Sequence, residues 1–172
     1  MKISLIFPTL EMKNAAQEFK QEFYTAGERT INGGYKFDVD RYSYEEWLQI
    51  LASNQSTETA DPRFGTSETY FAVNEDSVIV GIVSFRHELT EFYANAGHVG
   101  YSVRPSARRS GYATQILCEI LKKASERGFN ELRIVARQDN VPSIRTILNN
   151  RGVLTRTFNE NDTEYSEYSI SL

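Results

Sequence analysis

Residues 98–113 read HVGYSVRPSARRSGYA. Several kinds of chemistry meet in this stretch. His98 carries the side chain whose ordinary pKa, ~6.5, lies closest to neutrality, so it is a candidate base. Arg108 and Arg109, with Arg104 just upstream, concentrate positive charge. Ser110, Gly111, Tyr112 and Ala113 then open a long amphipathic pattern. Gly111 has no Cβ and Ala113 little more, so a ligand can approach the backbone there. The first amides of a helix lack partners within it, and its dipole adds partial positive charge, so a helix start suits an anion, phosphate above all. Arginines add attraction and forked hydrogen bonds. A solvated arginine cluster before an ordinary turn would use the same letters, and a short glycine motif alone leaves both readings open.

The flanking elements have to position this joint. His98 to Val103 is apolar and strand-like, and Pro105 ends it. Gly111 to Arg127 has Ala113, Ile116, Leu117, Ile120, Leu121 and Ala124 on one helical face. Glu131 to Ala136 is a nearly continuous apolar strand, expected in a buried central position. Asn140 to Asn150 is a shorter helix, stopped at Gly152. Before the joint, Ile3 to Phe7 reads as a strand and Met12 to Tyr24 as a helix. A second helix opens at Ser43, where Glu46 completes a capping box. Thr69 to Val73 and Val78 to Arg86 make a hairpin around NEDS, and Val153 to Phe158 with Tyr165 to Ile170 make a closing one. The whole order, strand, two helices, three strands, helix, strand, helix, two strands, gives an α/β (α+β) mixed sheet in a single domain, residues 1–172. The unit from His98 to Ala136 is expected to be a right-handed parallel crossover.

Composition narrows the partners. The chain has 172 residues and a formal net charge of −4, which argues against generic binding to nucleic acid or an anionic membrane. Its one cysteine, Cys118, allows no intrachain disulfide and fits a reducing, cytoplasmic setting. No apolar run approaches the ~20 residues of a membrane span, and MKISLIFP is too short for a secretory signal.

Arg108-Arg109-Ser110-Gly111-Tyr112-Ala113 fits the R/Q-x-x-G-x-G/A signature of the GNAT superfamily of N-acetyltransferases, and Asn140-x-x-Ser143 is similar to that family's N-x-x-A/S helix start. RHELTEF…GHVGYSVRPSARRSGYA further resembles a bacterial subgroup of predicted acetyltransferases. The resemblance is strongest over residues 69–152. It implies a GNAT fold and acetyl-CoA as cosubstrate, with no metal. The amides of Arg109, Ser110, Gly111, Tyr112 and Ala113, with Arg108 beside them, are then expected at the pyrophosphate. Tyr101, Ser102 and Val103 are expected to offer backbone groups to the pantetheine arm, in a wedge between diverging strands, with Asn140 and Ser143 nearby. The implied reaction is direct acetyl transfer to a primary amine on a small molecule or peptide.

Two positions depart from the family pattern. His98 stands where many members have a glutamate, and Ile147 where many have a proton-donating tyrosine. The competing reading is therefore a non-catalytic CoA-thioester-binding module. Dimers are common in the family, and Tyr165 to Ile170 is the expected edge for a homodimer. His87, Glu88, Glu91 and His98 match no usual zinc spacing, so no metal site is expected. Cys118 reads as helix packing.

Overall fold

The computed structural model describes residues 2–172. Seven strands and four α-helices follow in order: β1 (Ile3–Ile6), α1 (Lys13–Thr25), α2 (Tyr44–Ser53), β2 (Ser67–Asn74), β3 (Ile79–Arg86), β4 (Val99–Val103), α3 (Tyr112–Glu126), β5 (Glu131–Arg137), α4 (Val141–Asn149), β6 (Val153–Glu160) and β7 (Thr163–Ser171). Strands β1-β2-β3-β4 form one antiparallel sheet, and β5-β7-β6 form a second.

Alternation along β2 and β3 explains why both are buried nearly end to end. Successive strand side chains point to opposite faces. Tyr70, Ala72, Val83 and Phe85 pack with Ile116, Leu117, Ile120 and Ala124 of α3. Phe71, Val73 and Ile82 pack with Phe19 and Phe23 of α1 and with Trp47 and Leu51 of α2. The sheet is thus sandwiched between α3 on one face and the α1–α2 pair on the other. Full burial of side chains such as Phe71 and Ile82 is worth about 1.5–3 kcal/mol each. The capping box at α2 forms as expected: Ser43 Oγ accepts from the Glu46 amide at 3.2 Å, and Glu46 Oε2 accepts from the Ser43 amide at 2.7 Å.

Three expectations need correction. The β4–α3–β5 unit does not close a parallel ladder, because β4 and β5 belong to different sheets joined by one isolated bridge, Gly97–Ile134. For the same reason β5 is not a central strand. It borders the break, and its burial alternates, with Leu132, Ile134 and Ala136 buried and Arg133 and Val135 only half-buried. Nor is Tyr165 to Ile170 an edge: β7 runs between β5 and β6, so the free edge of that sheet is β6.

Candidate active site

The break between β4 and β5 dominates the region. Ladder geometry decides which backbone groups face it. Residues of an antiparallel strand alternate between bonding the neighbour and facing away. The Arg86 amide bonds His98 O at 2.7 Å and the Arg104 amide bonds Val80 O at 2.9 Å. With Ser84 opposite Gly100 and Ile82 opposite Ser102, the even-numbered residues of β4 spend their backbone groups on β3. Val99, Tyr101 and Val103 turn theirs toward β5. Among the three residues expected at a pantetheine arm, then, Tyr101 and Val103 face the gap and Ser102 does not. Val103 O is further engaged by Arg108 Nε at 3.1 Å.

His98 sits where the gap begins. Its amide donates to Arg133 O at 2.7 Å, and its Nδ1 accepts from the Arg133 amide at 2.9 Å. The ring nitrogen stands in for the carbonyl that a continuing ladder would supply. An acceptor Nδ1 requires the proton on Nε2. Burial pushes the imidazole pKa down, and the charges of Arg133 and Arg86 lower it further. The neutral form is therefore favoured. The atom that would take a proton as a base already holds a backbone hydrogen bond.

At the other end of β4 the chain passes Arg104 and Pro105 into a short 3₁₀ turn, Pro105–Ala107. Arg109 then adopts φ 61° and Gly111 φ 80°. Left-handed residues interspersed in a loop turn successive amides toward one side, the geometry of an anion nest. The amides of residues 109–114 have no acceptor among the described residues, and the first helical bond runs from the Gln115 amide to Gly111 O. That cradle fits a pyrophosphate.

The arginines divide their labour in a way the sequence does not reveal. Arg108 makes a two-pronged ion pair with Glu28, at 2.6 and 2.7 Å, and lies 5.5 Å from the Phe23 ring. Arg104 pairs with Glu22 at 2.6 Å, and the Ser106 amide donates to the same carboxylate at 2.6 Å. Glu22 lies in the last turn of α1 and Glu28 just past its end, about 80 residues upstream. They anchor the loop, and no local signal announces them. The side chain of Arg109 has no such partner among the described residues and is exposed beside the nest.

Helix α4 closes the third side. Asn140 caps it, with Oδ1 accepting from the Ser143 amide at 3.2 Å, so only its Nδ2 remains to donate elsewhere. The Tyr101 hydroxyl lies 3.0 Å from Ser143 Oγ. Burial raises the Tyr101 pKa, and neighbouring hydroxyls offset part of that rise. Ile147 is fully buried against the Tyr101 side of the core. The structure therefore brings Tyr101, Asn140 and Ser143 to one side of the gap and residues 109–113 to its end. His98 lies at the opposite end, and the Arg108 side chain turns toward α1.

The helix start with its turned amides thus lies beside two parted strands. A family model described as "Acetyltransferase (GNAT) family" matches residues 28–152. The chain belongs to that family and is by class an acyltransferase. Its fold is similar to that of RimL, a ribosomal L7/L12 alpha-N-protein acetyltransferase in complex with coenzyme A, with TM-score 0.71, 17% identity, and coverage of 100% of this chain and 95% of that one. It is similar also to the microcin C7 self-immunity acetyltransferase MccE in complex with acetyl-CoA and AMP, with TM-score 0.69, 17% identity, and coverage of 99% and 93%. RimJ of Mycobacterium smegmatis in complex with a CoA disulfide gives TM-score 0.69 at 16% identity, covering 98% and 81%. Among curated proteins no sequence matches the chain. No helix of the described residues is long and apolar enough to cross a membrane.

Proposed function

We propose that the protein is an acetyl-CoA-dependent N-acetyltransferase acting by direct transfer to a primary amine. The observation that carries this reading is the run of amides 109–114, left without acceptors in a nest that fits pyrophosphate. Family membership and CoA-bound structural neighbours support the same cofactor.

Each residue then has a task. Amides 109–113 and the free Arg109 guanidinium hold the phosphates. Tyr101 and Val103 present backbone groups along the gap as a strand would to its neighbour. Asn140 offers Nδ2 from the start of α4. Bound acetyl-CoA supplies an activated acyl group: the thioester C–S bond breaks, an amide C–N bond forms, the amine loses a proton and the thiolate gains one. Backbone N–H groups of Val99 and Tyr101, aimed into the gap, are placed to stabilise charge developing on an oxygen there. The Tyr101 hydroxyl, held by Ser143, is the proton donor at α4, in place of the tyrosine that Ile147 replaces. His98 can act as a base only by giving up the Arg133 bond, so in this reading it positions β4 against β5. The partner in this reading is an amine acceptor; the free β6 edge, rather than β7, is where a second copy of the chain would pair.

A non-catalytic CoA-thioester-binding module is the second reading, favoured by the engaged Nδ1 of His98 and the buried Ile147. One experiment separates the two. Calorimetric titration with acetyl-CoA, beside ATP, should give saturable binding that ATP does not match and that Arg109→Glu abolishes. Thiol release with an amine panel then distinguishes enzyme from module. No binding of acetyl-CoA would overturn both readings.

A further inference from the structure

Arg86 ends β3 on the face that carries Phe71 and Ile82, away from α3. Its guanidinium is mostly withdrawn from solvent, and burial pulls its pKa below the usual arginine value. Nη1 donates to Gly97 O at 2.8 Å, and the guanidinium carbon lies 4.4 Å from the Tyr93 ring centroid. Nε is buried with no partner, and no carboxylate lies within ion-pair distance of Arg86 among the described residues. An uncompensated charge in such a place is costly, because desolvation is not offset by an ion pair.

The neighbours share the condition. Four buried side-chain polar atoms lack a hydrogen-bond partner among the described residues: Asn54 Nδ2, Thr69 Oγ1, Ser84 Oγ and Arg86 Nε. Register puts them together. Ser84 opposes both Thr69 and Gly100, and Arg86 opposes Ser67, so Thr69, Ser84 and Arg86 share one face with Gly100, against which the Gly33 backbone and the Arg86 guanidinium pack. The Ser67 amide bonds Asn54 O at 2.9 Å, which brings Asn54 over the same end. The Phe64 ring contacts both Tyr35 and Tyr93, and Tyr93 lies under the Arg86 guanidinium, which closes the ring. Asn54, Thr69 and Ser84 are 5%, 3% and 2% exposed. This cluster offers N–H and O–H donors and one positive charge, and it lies where β4 begins, beside the His98 pin.

We infer that Arg86, with Asn54 and Ser84, binds a carboxylate carried by the acceptor, so that the preferred substrate is an amine bearing an acid group rather than a polyamine. This inference rests on the acetyltransferase reading for its substrate and on the unpartnered donors for its chemistry. A polyamine would bring positive charge toward Arg86, whereas a carboxylate would satisfy Nε and complete a charge pair.

The test uses the full chain. Acetyl-CoA binding is measured first. Its absence would defeat the acetyltransferase reading alone. Thiol release is then followed with matched acceptors: glycine against glycinamide, β-alanine against β-alaninamide, and spermidine. The acids should exceed their amides at least tenfold in kcat/KM, and Arg86→Gln should lower the acid rate by roughly 100-fold, as for a removed partner of a buried charge pair, with the amide rate and acetyl-CoA affinity unchanged. A second arm needs neither turnover nor the variant's folding. In wild-type protein with CoA, N-acetylglycine should shift the arginine Nε–H resonances saturably, and N-acetylglycinamide should not. Equal rates for acids and amides, or an equal or absent response to the two N-acetyl probes, would overturn the inference.

Discussion

At its C-terminal end β4 runs through Arg104 and Pro105 into six amides that have no acceptor among the described residues; at its N-terminal end it begins beside a pinned histidine and a buried arginine that pairs with no described carboxylate. The first site is made of backbone. Its shape comes from φ angles at Arg109 and Gly111, and the side chains around it, Arg104 and Arg108, serve to hold the loop against α1. The second is made of side chains from three separate segments, around residues 54, 69 and 84–86. On the functions proposed for them, the lesson is a division between a fixed handle and an adjustable reader. A backbone cradle binds what is common to a cofactor, and its recognition survives most side-chain changes. A side-chain cluster discriminates, and any one substitution alters what it takes.

Substitution at Gly111 breaks the first site most severely. Valine at φ 80° would sit in a region costly for a β-branched residue, about 1–3 kcal/mol, and would push a side chain into the nest. We expect Gly111→Val to weaken acetyl-CoA binding by roughly 100-fold or more, since every 1.4 kcal/mol is tenfold. Circular dichroism should show an intact fold. Near-normal affinity by calorimetry would mean that the amides of residues 109–114 are not the phosphate contact.

Tyr101→Phe sharpens the comparison, because Tyr101 lies between the two ends. It removes the hydroxyl that meets Ser143 and leaves the backbone untouched. If the hydroxyl donates the thiolate proton, kcat should fall about 100-fold with acetyl-CoA affinity unchanged, the low end of general acid effects. A fall in affinity with kcat preserved would assign the hydroxyl to binding instead.

Glu22→Gln tests whether the handle depends on α1. Glu22 and Arg104 keep 25% and 18% side-chain exposure, so the loss should be well below that for a fully buried pair, about 1–2 kcal/mol. Differential scanning calorimetry should record a Tm lower by a few degrees. Acetyl-CoA affinity should drop severalfold as the loop loosens. Unchanged affinity would show that the nest holds its shape without the clamp.

The same division explains what the sequence made legible. Pro105, Gly111 and the Ser43–Glu46 box are local signals, and each marks the element end that the structure places there. Helix α3 is equally plain from its period. The clamps from Glu22 and Glu28 are invisible, because they join residues about 80 positions apart through packing of α1. Arg86, Asn54, Thr69 and Ser84 are unreadable for the same reason: only strand register collects them. The strand β5 misleads through its own letters. Leu132, Ile134, Val135 and Ala136 look like a strand covered on both faces, but the sheet parts beside it and leaves Val135 half-buried. The last strand misleads by position, since a C-terminal strand is an edge only if no earlier one lies outside it, and β6 does.

The smallest expected effect bears on His98, and it concerns pH. Its pKa is lowered in the folded protein from an ordinary ~6.5. The unfolded chain therefore binds a proton at a higher pH than the folded one. Stability from the neutral ring is fully present above about pH 6.5 and is lost as the pH falls through the folded value. His98→Asn removes the titration while Oδ1 keeps an acceptor for the Arg133 amide. Denaturant unfolding between about pH 7.5 and 5.5 should then show a steeper loss of stability in the wild type than in the variant. Identical slopes would remove the pin as a titrating element. The pH profile of turnover, measured on the same variant, decides the remaining question. If the variant keeps the acidic limb of kcat/KM, the proton leaves the amine by another route and His98 serves only to join the two sheets. If that limb disappears, the ring must release Arg133 during turnover, and the joint between β4 and β5 opens in each cycle.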